Sequence, residues 1–222
     1  MKEPFKIVFE DKHIIVVNKI AKLLIQPSSK DAKPTLTSLL RKHLNQKVYP
    51  CHRLDRETTG LIIYAKTLII QNKIMNQFRS RTVKKRYIAF VRGKLKKKIG
   101  KIEGVVLDKE GKRHGETPKR AITEYEVLRT AAGFSVVELI PRTGRTNQLR
   151  IQLADTGNPI LGERKYAFGR DFKVKFRRLA LHAFFIAFTH PITNKRLNFE
   201  IELPFDMKTF LQAKDPRPKT QD

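Results

Sequence analysis

The sequence predicts a mixed α and β domain in which strands outnumber helices. Three observations lead there. Apolar runs of strand length recur along the chain, bounded by Gly, Pro and charged turn residues. Only three stretches read as helices. The 222 residues are 40% hydrophobic, enough to bury a core without a disulfide or metal staple.

The elements follow in order. Phe5 to Phe9 and Ile14 to Val17 are apolar runs split by Glu10-Asp11-Lys12-His13, a hairpin signal. Pro34-Thr35 precedes Leu36, Leu39, Leu40 and Leu44, the spacing of one helix face. Leu61 to Ala65, after Gly60, is a buried-strand candidate. Ile70, Ile74 and Phe78 lie four apart on a second helix face. Tyr87 to Val91 is a strand ended by Gly93. Thr123 to Leu128 and Phe134 to Ile140 flank a turn at Gly133. A Gly turn at Gly144 leads into a third helix that ends at Gly157. Leu179 to Phe188 is long and apolar, and Leu197 to Leu203 alternates before Pro204. The polar stretch Ala213 to Asp222, with Pro216 and Pro218, reads as a frayed tail.

The ends and the composition narrow the class. No long apolar run follows Met1, so no secretory signal is expected. No window approaches the ~18 apolar residues of a membrane span. A single cysteine, Cys51, excludes an internal disulfide and suits a reducing compartment, so a cytoplasmic location is expected. The charge is the strongest feature. Forty-seven Lys and Arg against 21 Asp and Glu give a net charge of +26, which calls for a polyanionic partner. Its distribution is uneven. No Asp or Glu lies between Glu57 and Glu103, a stretch holding Arg79, Arg81, Lys84, Lys85, Arg86, Arg92, Lys94, Lys96, Lys97, Lys98 and Lys101. Lys94 to Lys101 is either a floppy solvated loop or a phosphate-neutralising one, and the one-sign bias favours the second. The basic amphipathic helix of a membrane binder is missing.

Two constellations carry chemistry. In His52-Arg53-Leu54-Asp55-Arg56-Glu57-Thr58-Thr59-Gly60, Asp55 stands between Arg53 and Arg56. Flanking cations favour its ionised form. A carboxylate in a basic groove repels phosphate, so it suits a nucleophile better than a pure binder. The alternative is a turn aspartate with a surface ion pair. In Pro141-Arg142-Thr143-Gly144-Arg145-Thr146-Asn147-Gln148-Leu149-Arg150, arginines cluster before a helix N-terminus, which suits an anion. Arg150, about one turn on, can meet a carboxylate; an ordinary amphipathic helix is the alternative. His13, His43, His52, His114, His182 and His190 show no zinc spacing, which argues against a zinc-dependent base deaminase. Cys51 reads as a buried thiol, His52 as a support for the Asp55 loop, and His182 and His190 as structural.

Together these pieces resemble the RluA-like family of pseudouridine synthases. Phe9-Glu10-Asp11-Lys12-His13-Ile14-Ile15-Val16-Val17-Asn18-Lys19 is similar to its opening hairpin. His52-Arg53-Leu54-Asp55 with Thr58 and Gly60 is similar to its catalytic motif, and Lys85-Arg86-Tyr87 to Gly93 to its Lys-x-Tyr strand. Arg142-Thr143-Gly144-Arg145 through Gln148, Arg150, Gly157, Pro159 and Gly162 matches the next signature. Arg178-Leu179-Ala180-Leu181-His182-Ala183, His190-Pro191 and Leu203-Pro204 match the last.

The resemblance implies an α+β pseudouridine synthase-like fold, with a mixed, largely antiparallel central sheet and a few flanking helices. It implies residues 1–212 as the catalytic domain, with no small S4-like RNA-binding domain before it. It implies isomerisation of uridine in ribosomal or transfer RNA without a cofactor or metal, on a base taken out of its stack, by a monomer that uses no membrane. Asp55 would be the nucleophile. Tyr87 would stack near the base and is a candidate to take the C5 proton. Arg150 would pair with Asp55. Arg53 would displace the flipped base, Leu179 would pack on the uracil, and Arg145 and Thr58 would bind substrate. An inactive RNA-holding relative is the alternative. There are departures: Asn147 and Gln152 stand where the family has His, Thr59 where it has Ser, and Glu163 where it has Asp. Asn18-Lys19-Ile20-Ala21-Lys22 lacks the usual Pro and Gly. Asn147 and Gln152 bear on RNA contacts or loop support. The basic stretch around Lys94 to Lys101 is expected to stand in partly for the missing RNA-binding domain.

Overall fold

A computed structural model describes residues 3–27, 33–107, 118–167 and 174–214. His114 and the tail beyond Lys214 lie outside these residues. In chain order the elements are β1 (Phe5–Glu10), β2 (Ile14–Lys19), α1 (Leu36–Leu44), β3 (Tyr49–Pro50), β4 (Thr59–Ala65), α2 (Leu68–Arg79) and β5 (Lys84–Arg92), followed by β6 (Ile99–Val106), β7 (Lys119–Ala131), β8 (Phe134–Pro141), α3 (Gln148–Asp155), β9 (Leu181–Thr189), β10 (Arg196–Glu200) and α4 (Phe205–Lys214). The chain divides into two compact units, one within Met1–Arg86 and Ala183–Ile201, the other within Tyr87–His182 and Glu202–Asp222.

In the first unit the strand order is β1-β2-β4-β9, with β3 beside β4 and β10 beside β9. The expected hairpin is present: β1 and β2 pair antiparallel, with a bulge between Ile7 and Phe9. β2 then pairs antiparallel with β4, Ile14 opposite Ala65 and Lys19 opposite Gly60. Every residue of β4 is buried, as expected of an apolar run covered on both faces. Ile14, Val16, Leu61, Ile63, Ile70, Ile74, Ile186 and Phe188 form its core. Both helices begin at a capping threonine, of which the sequence marked only Thr35. Thr35 and Ser38 form a reciprocal capping box on α1, and the Thr67 hydroxyl accepts from Ile70 N–H at 3.3 Å on α2. His190 ties the β1–β2 turn to the β9–β10 turn. Its Nε2 lies 2.8 Å from Asp11 Oδ2, and its Nδ1 accepts from Thr193 N–H at 3.0 Å.

In the second unit the order is β5-β8-β7-β6, all three ladders antiparallel. β7 runs longer than the apolar run foretold, because its polar ends pair as well as its apolar centre. Three elements were not foreseen, the first being the two-residue strand β3. The alternation of β6 was masked by exposed Lys101 and Glu103 and by Gly100 and Gly104. The helix α4 has one buried residue, Met207, and no apolar stripe; the ring of Phe210 docks it among Phe90, Phe134 and Phe176 at centroid distances of 5.1 to 5.9 Å. It also takes in Ala213 and Lys214, which sequence assigned to the tail. Among the described residues the count is therefore four helices rather than three. The α+β class with largely antiparallel strands is as expected. Among the described residues no helix is long and apolar enough to cross a membrane.

Candidate active site

The Asp55 loop joins β3 to β4, and its backbone is held from both ends. Cys51 N–H donates to Ile63 C=O at 2.9 Å. Ile63 N–H returns a bond to His52 Nε2 at 3.0 Å. An accepting Nε2 leaves the proton of the neutral ring on Nδ1. Desolvation and the nearby Lys85 cation push His52 down to about 3, outweighing a favourable bond at Arg53. The ring also packs on Phe78, 4.8 Å away. His52 is thus a neutral strut, not a general base at pH 7. Beside it, burial pushes the Cys51 thiol up to about 12, so it carries no thiolate chemistry.

The second anchor was not read from the sequence. Lys19 is fully buried at the end of β2. Its ammonium donates to the carbonyls of Ile20 and Leu23 at 2.9 Å and of Arg56 at 3.1 Å. A buried ammonium needs acceptors on its three protons, and here one acceptor belongs to the residue after Asp55. The departure noted at Asn18 to Lys22 has a local consequence as well. Lys22 adopts φ 65, a conformation glycine takes without strain. Only the apolar pattern around Lys19 signalled its burial, and a lysine inside such a run reads as an edge or snorkelling residue.

Thr58 N–H donates to Asp55 C=O at 3.1 Å and closes the turn that carries the carboxylate. Asp55 itself is half-buried, while Arg53 and Arg56 are exposed. Thr58 is buried, and its hydroxyl has no hydrogen-bond partner among the described residues. Gly60 then turns the chain into β4 at φ 118, where a Cβ would fall on the Ala183 carbonyl. Arg53, Asp55 and Thr58 therefore share one short, doubly anchored loop.

The second constellation sits where β8 turns into α3. The Thr143 hydroxyl donates to Gln148 Oε1 at 2.7 Å and accepts from Ile122 N–H at 2.9 Å. Gln148 Nε2 donates to Ile122 C=O and to Thr123 Oγ1, at 3.1 and 3.0 Å. The Thr123 hydroxyl donates to Gln152 Oε1 at 2.6 Å, and Gln152 Nε2 reaches the Ala121 and Ile102 carbonyls at 3.1 and 3.2 Å. Gln152 is buried, so this departure from the family supports the fold. Asn147 takes φ 52 before α3, and its Oδ1 accepts from Arg150 Nη1 at 3.0 Å.

Arg150 meets a carboxylate, Glu163. The pair is bidentate: Nε to Oε2 at 2.7 Å and Nη2 to Oε1 at 2.8 Å. The Glu163 side chain is 0% exposed and that of Arg150 15%. Burial alone would raise the Glu163 carboxyl; Arg150 and the N–H groups of Lys165 and Tyr166 overcome it and hold the group below its ordinary value. The arginines expected to wait for an anion divide. Arg142 is bonded to Glu124 at 2.6 Å. Arg145 is exposed, its Nε directed to Arg120 C=O at 3.4 Å. Tyr87 sits half-buried in β5, opposite Leu139 of β8. Leu179 is buried, and its backbone passes so close to Gly162 that a Cβ there would strike the Arg178 carbonyl. Glu163 was noted only as a departure; its role is a matter of which cation it meets.

Residues 13–155 match the family model described as RNA pseudouridylate synthase. The chain is 37% identical to ribosomal large subunit pseudouridine synthase D of Nitrosomonas europaea, over 95% of this chain and 65% of that protein. It is 35% identical to the dual-specificity RNA pseudouridine synthase RluA of Haemophilus influenzae, over 91% of this chain and 95% of that protein. Among solved structures, human RNA pseudouridylate synthase domain containing 4 superposes with a TM-score of 0.77 at 27% identity, covering 93% of this chain and 91% of that one. With a family model spanning well over half of its length and a matching fold, this chain belongs to the RNA pseudouridylate synthase family.

Proposed function

We propose that this chain isomerises uridine to pseudouridine in structured ribosomal or transfer RNA, as a monomeric cytoplasmic enzyme whose catalytic domain is residues 1–212. In this reaction the N1–C1′ bond of the flipped nucleotide breaks, a C5–C1′ bond forms, C5 gives up its proton and N1 takes one. Nothing is oxidised and no group is added, so the chain's own side chains suffice. The observation that carries the reading is Asp55: a half-buried carboxylate between two exposed arginines, on a loop fixed by His52 and Lys19. Fixing the loop limits the entropy lost on reaching a productive geometry. Asp55 is the nucleophile, and Arg150 is the cation that keeps it ionised. Tyr87 stacks near the base and takes the C5 proton. Arg53 fills the space the base leaves, Leu179 packs against the uracil, and Arg145 and Thr58 hold the RNA around it.

The experiment is pseudouridine mapping on ribosomal and transfer RNA from cells lacking the gene, treated with purified wild-type protein or Asp55→Asn. Wild type is expected to restore pseudouridine at defined positions. Asp55→Asn is expected to bind RNA within a few-fold of wild type and form none. Turnover by the variant would remove Asp55 from its role, and no restored site with wild type would leave only an RNA-holding protein.

A further inference from the structure

The basic stretch after Glu57 separates into two parts that behave differently. Lys101 lies in β6 and pairs with Glu103 at 2.8 Å; Glu103 also takes Arg120, and Arg142 takes Glu124. Lys101, Arg120 and Arg142 are thus each matched by a carboxylate. Lys94, Lys96, Lys97 and Lys98 are all exposed, and none has a carboxylate partner among the described residues.

This loop is not floppy. Gly93 N–H donates to Gly133 C=O at 2.9 Å, and the Ser135 hydroxyl to Gly93 C=O at 2.7 Å. Asn158 Nδ2 donates to the Arg92 and Lys94 carbonyls, at 2.8 and 3.4 Å. At the far end Val127 N–H donates to Lys98 C=O at 2.7 Å. Between them Leu95 is plugged inward, 6% exposed. Four ammonium groups are therefore displayed from a backbone fixed at both ends and in the middle.

We propose that Lys94, Lys96, Lys97 and Lys98 form a preorganised, sequence-independent grip on RNA phosphates. The composition of the loop selects this partner. It has no aromatic side chain to stack on a base and no Arg, Asn or Gln to read a base edge, only compact point charges. Its one apolar residue is buried, so nothing in it inserts into a lipid surface. Ile99, exposed just beyond, faces Glu126 across the ladder, which an anionic membrane would repel. Fixing the backbone beforehand reduces the ordering cost of binding. The inference rests on RNA being the substrate, but not on the chemistry of Asp55.

The test measures binding of bulk transfer RNA and of deproteinised ribosomal RNA to the full chain, between about 50 and 200 mM salt. Replacing all four lysines by Gln is expected to lower affinity at least tenfold at the lower salt, and to flatten the log–log salt slope by about 2 to 3. A control carrying Lys6, Lys12, Lys42 and Lys47→Gln removes the same charge from exposed sites of the first unit, and is expected to change the slope by less than half as much. Leu95→Ala keeps every charge but frees the loop, and is expected to weaken binding several-fold; Asn158→Ala provides the same reading if Leu95→Ala fails to fold. An unchanged slope in the four-lysine variant, or an equal change in the control, overturns the grip. Unchanged affinity in the freed-loop variant overturns its preorganisation. Wild type that binds no RNA sinks the functional reading with it, whereas wild type that binds RNA without isomerising it leaves the grip standing.

Discussion

The Asp55 loop and the Arg150 corner are both fixed by polar side chains, yet by different means. The loop in the first unit hangs on groups that bond to backbone: neutral His52 accepts from Ile63 N–H, and Lys19 donates to three carbonyls. The corner in the second unit also reaches backbone, at Ile122, Ala121 and Ile102, but adds side chains that bond to one another, the Thr143–Gln148–Thr123–Gln152 chain and the Arg150–Glu163 ion pair. Backbone-directed bonds survive changes in neighbouring side chains, because every residue offers the same carbonyl. A closed ion pair does not, because removing one member strands the other in a medium that solvates it poorly.

That contrast orders the expected effects. Arg150→Ala should be the most damaging to stability, about 3 to 5 kcal/mol in denaturant unfolding, since Glu163 is left buried without its cation. Lys19→Met keeps the stem and loses three hydrogen bonds, and should cost about 1 to 3 kcal/mol. Equal losses in the two variants would erase the distinction between the regions.

pH sharpens it further. The folded-state pKa of His52, about 3, lies below its ordinary 6.5, so the unfolded chain takes the proton first. Support from His52 is complete above pH 6.5 and fades as pH falls toward 3. Glu163 is also held down, but from 4.5, so its support is complete above that pH and is lost only below it. Acidification from neutrality should therefore loosen the Asp55 loop before the Arg150 corner. Amide exchange at Ile63 is the direct readout, once corrected for the intrinsic pH dependence of exchange. Protection at Ile63 lost only together with that of α3 would count against the order.

The smallest effect is expected at Thr58. Its hydroxyl has no partner among the described residues, so Thr58→Val should change stability by no more than about 1 kcal/mol, in either direction. A larger loss would show that the hydroxyl bonds to protein in solution. If stability is kept but turnover falls, the group belongs to substrate rather than to the fold.

Legibility followed the range of the interactions. The hairpin, the buried β4, the first two helices and the α3 turn were readable because each rests on local periodicity or turn residues. β6 and α4 were not, since their places depend on partners far along the chain: β6 on the ladder to β7, and α4 on Phe210 docking against Phe90 and Phe134. In the site, Asp55 stood out through its unlike neighbours and Arg150 through its place after a Gly turn. Lys19 and Glu163 did not, because nothing in a lysine within an apolar run, or a glutamate after a glycine, names a partner 37 or 13 residues away.

The sequence by itself determined the class of fold, the excess of positive charge and the carboxylate set among cations, because composition and short-range spacing are fixed along the chain. Tertiary structure alone decided which of those charges act. It neutralised His52 by burial, paired Arg150 with Glu163, matched Lys101 with Glu103, and left Lys94, Lys96, Lys97 and Lys98 unmatched on a fixed loop. A charge has its full effect only where folding withholds a counter-charge and keeps it in reach of solvent, and both conditions are set by contacts that no linear spacing records.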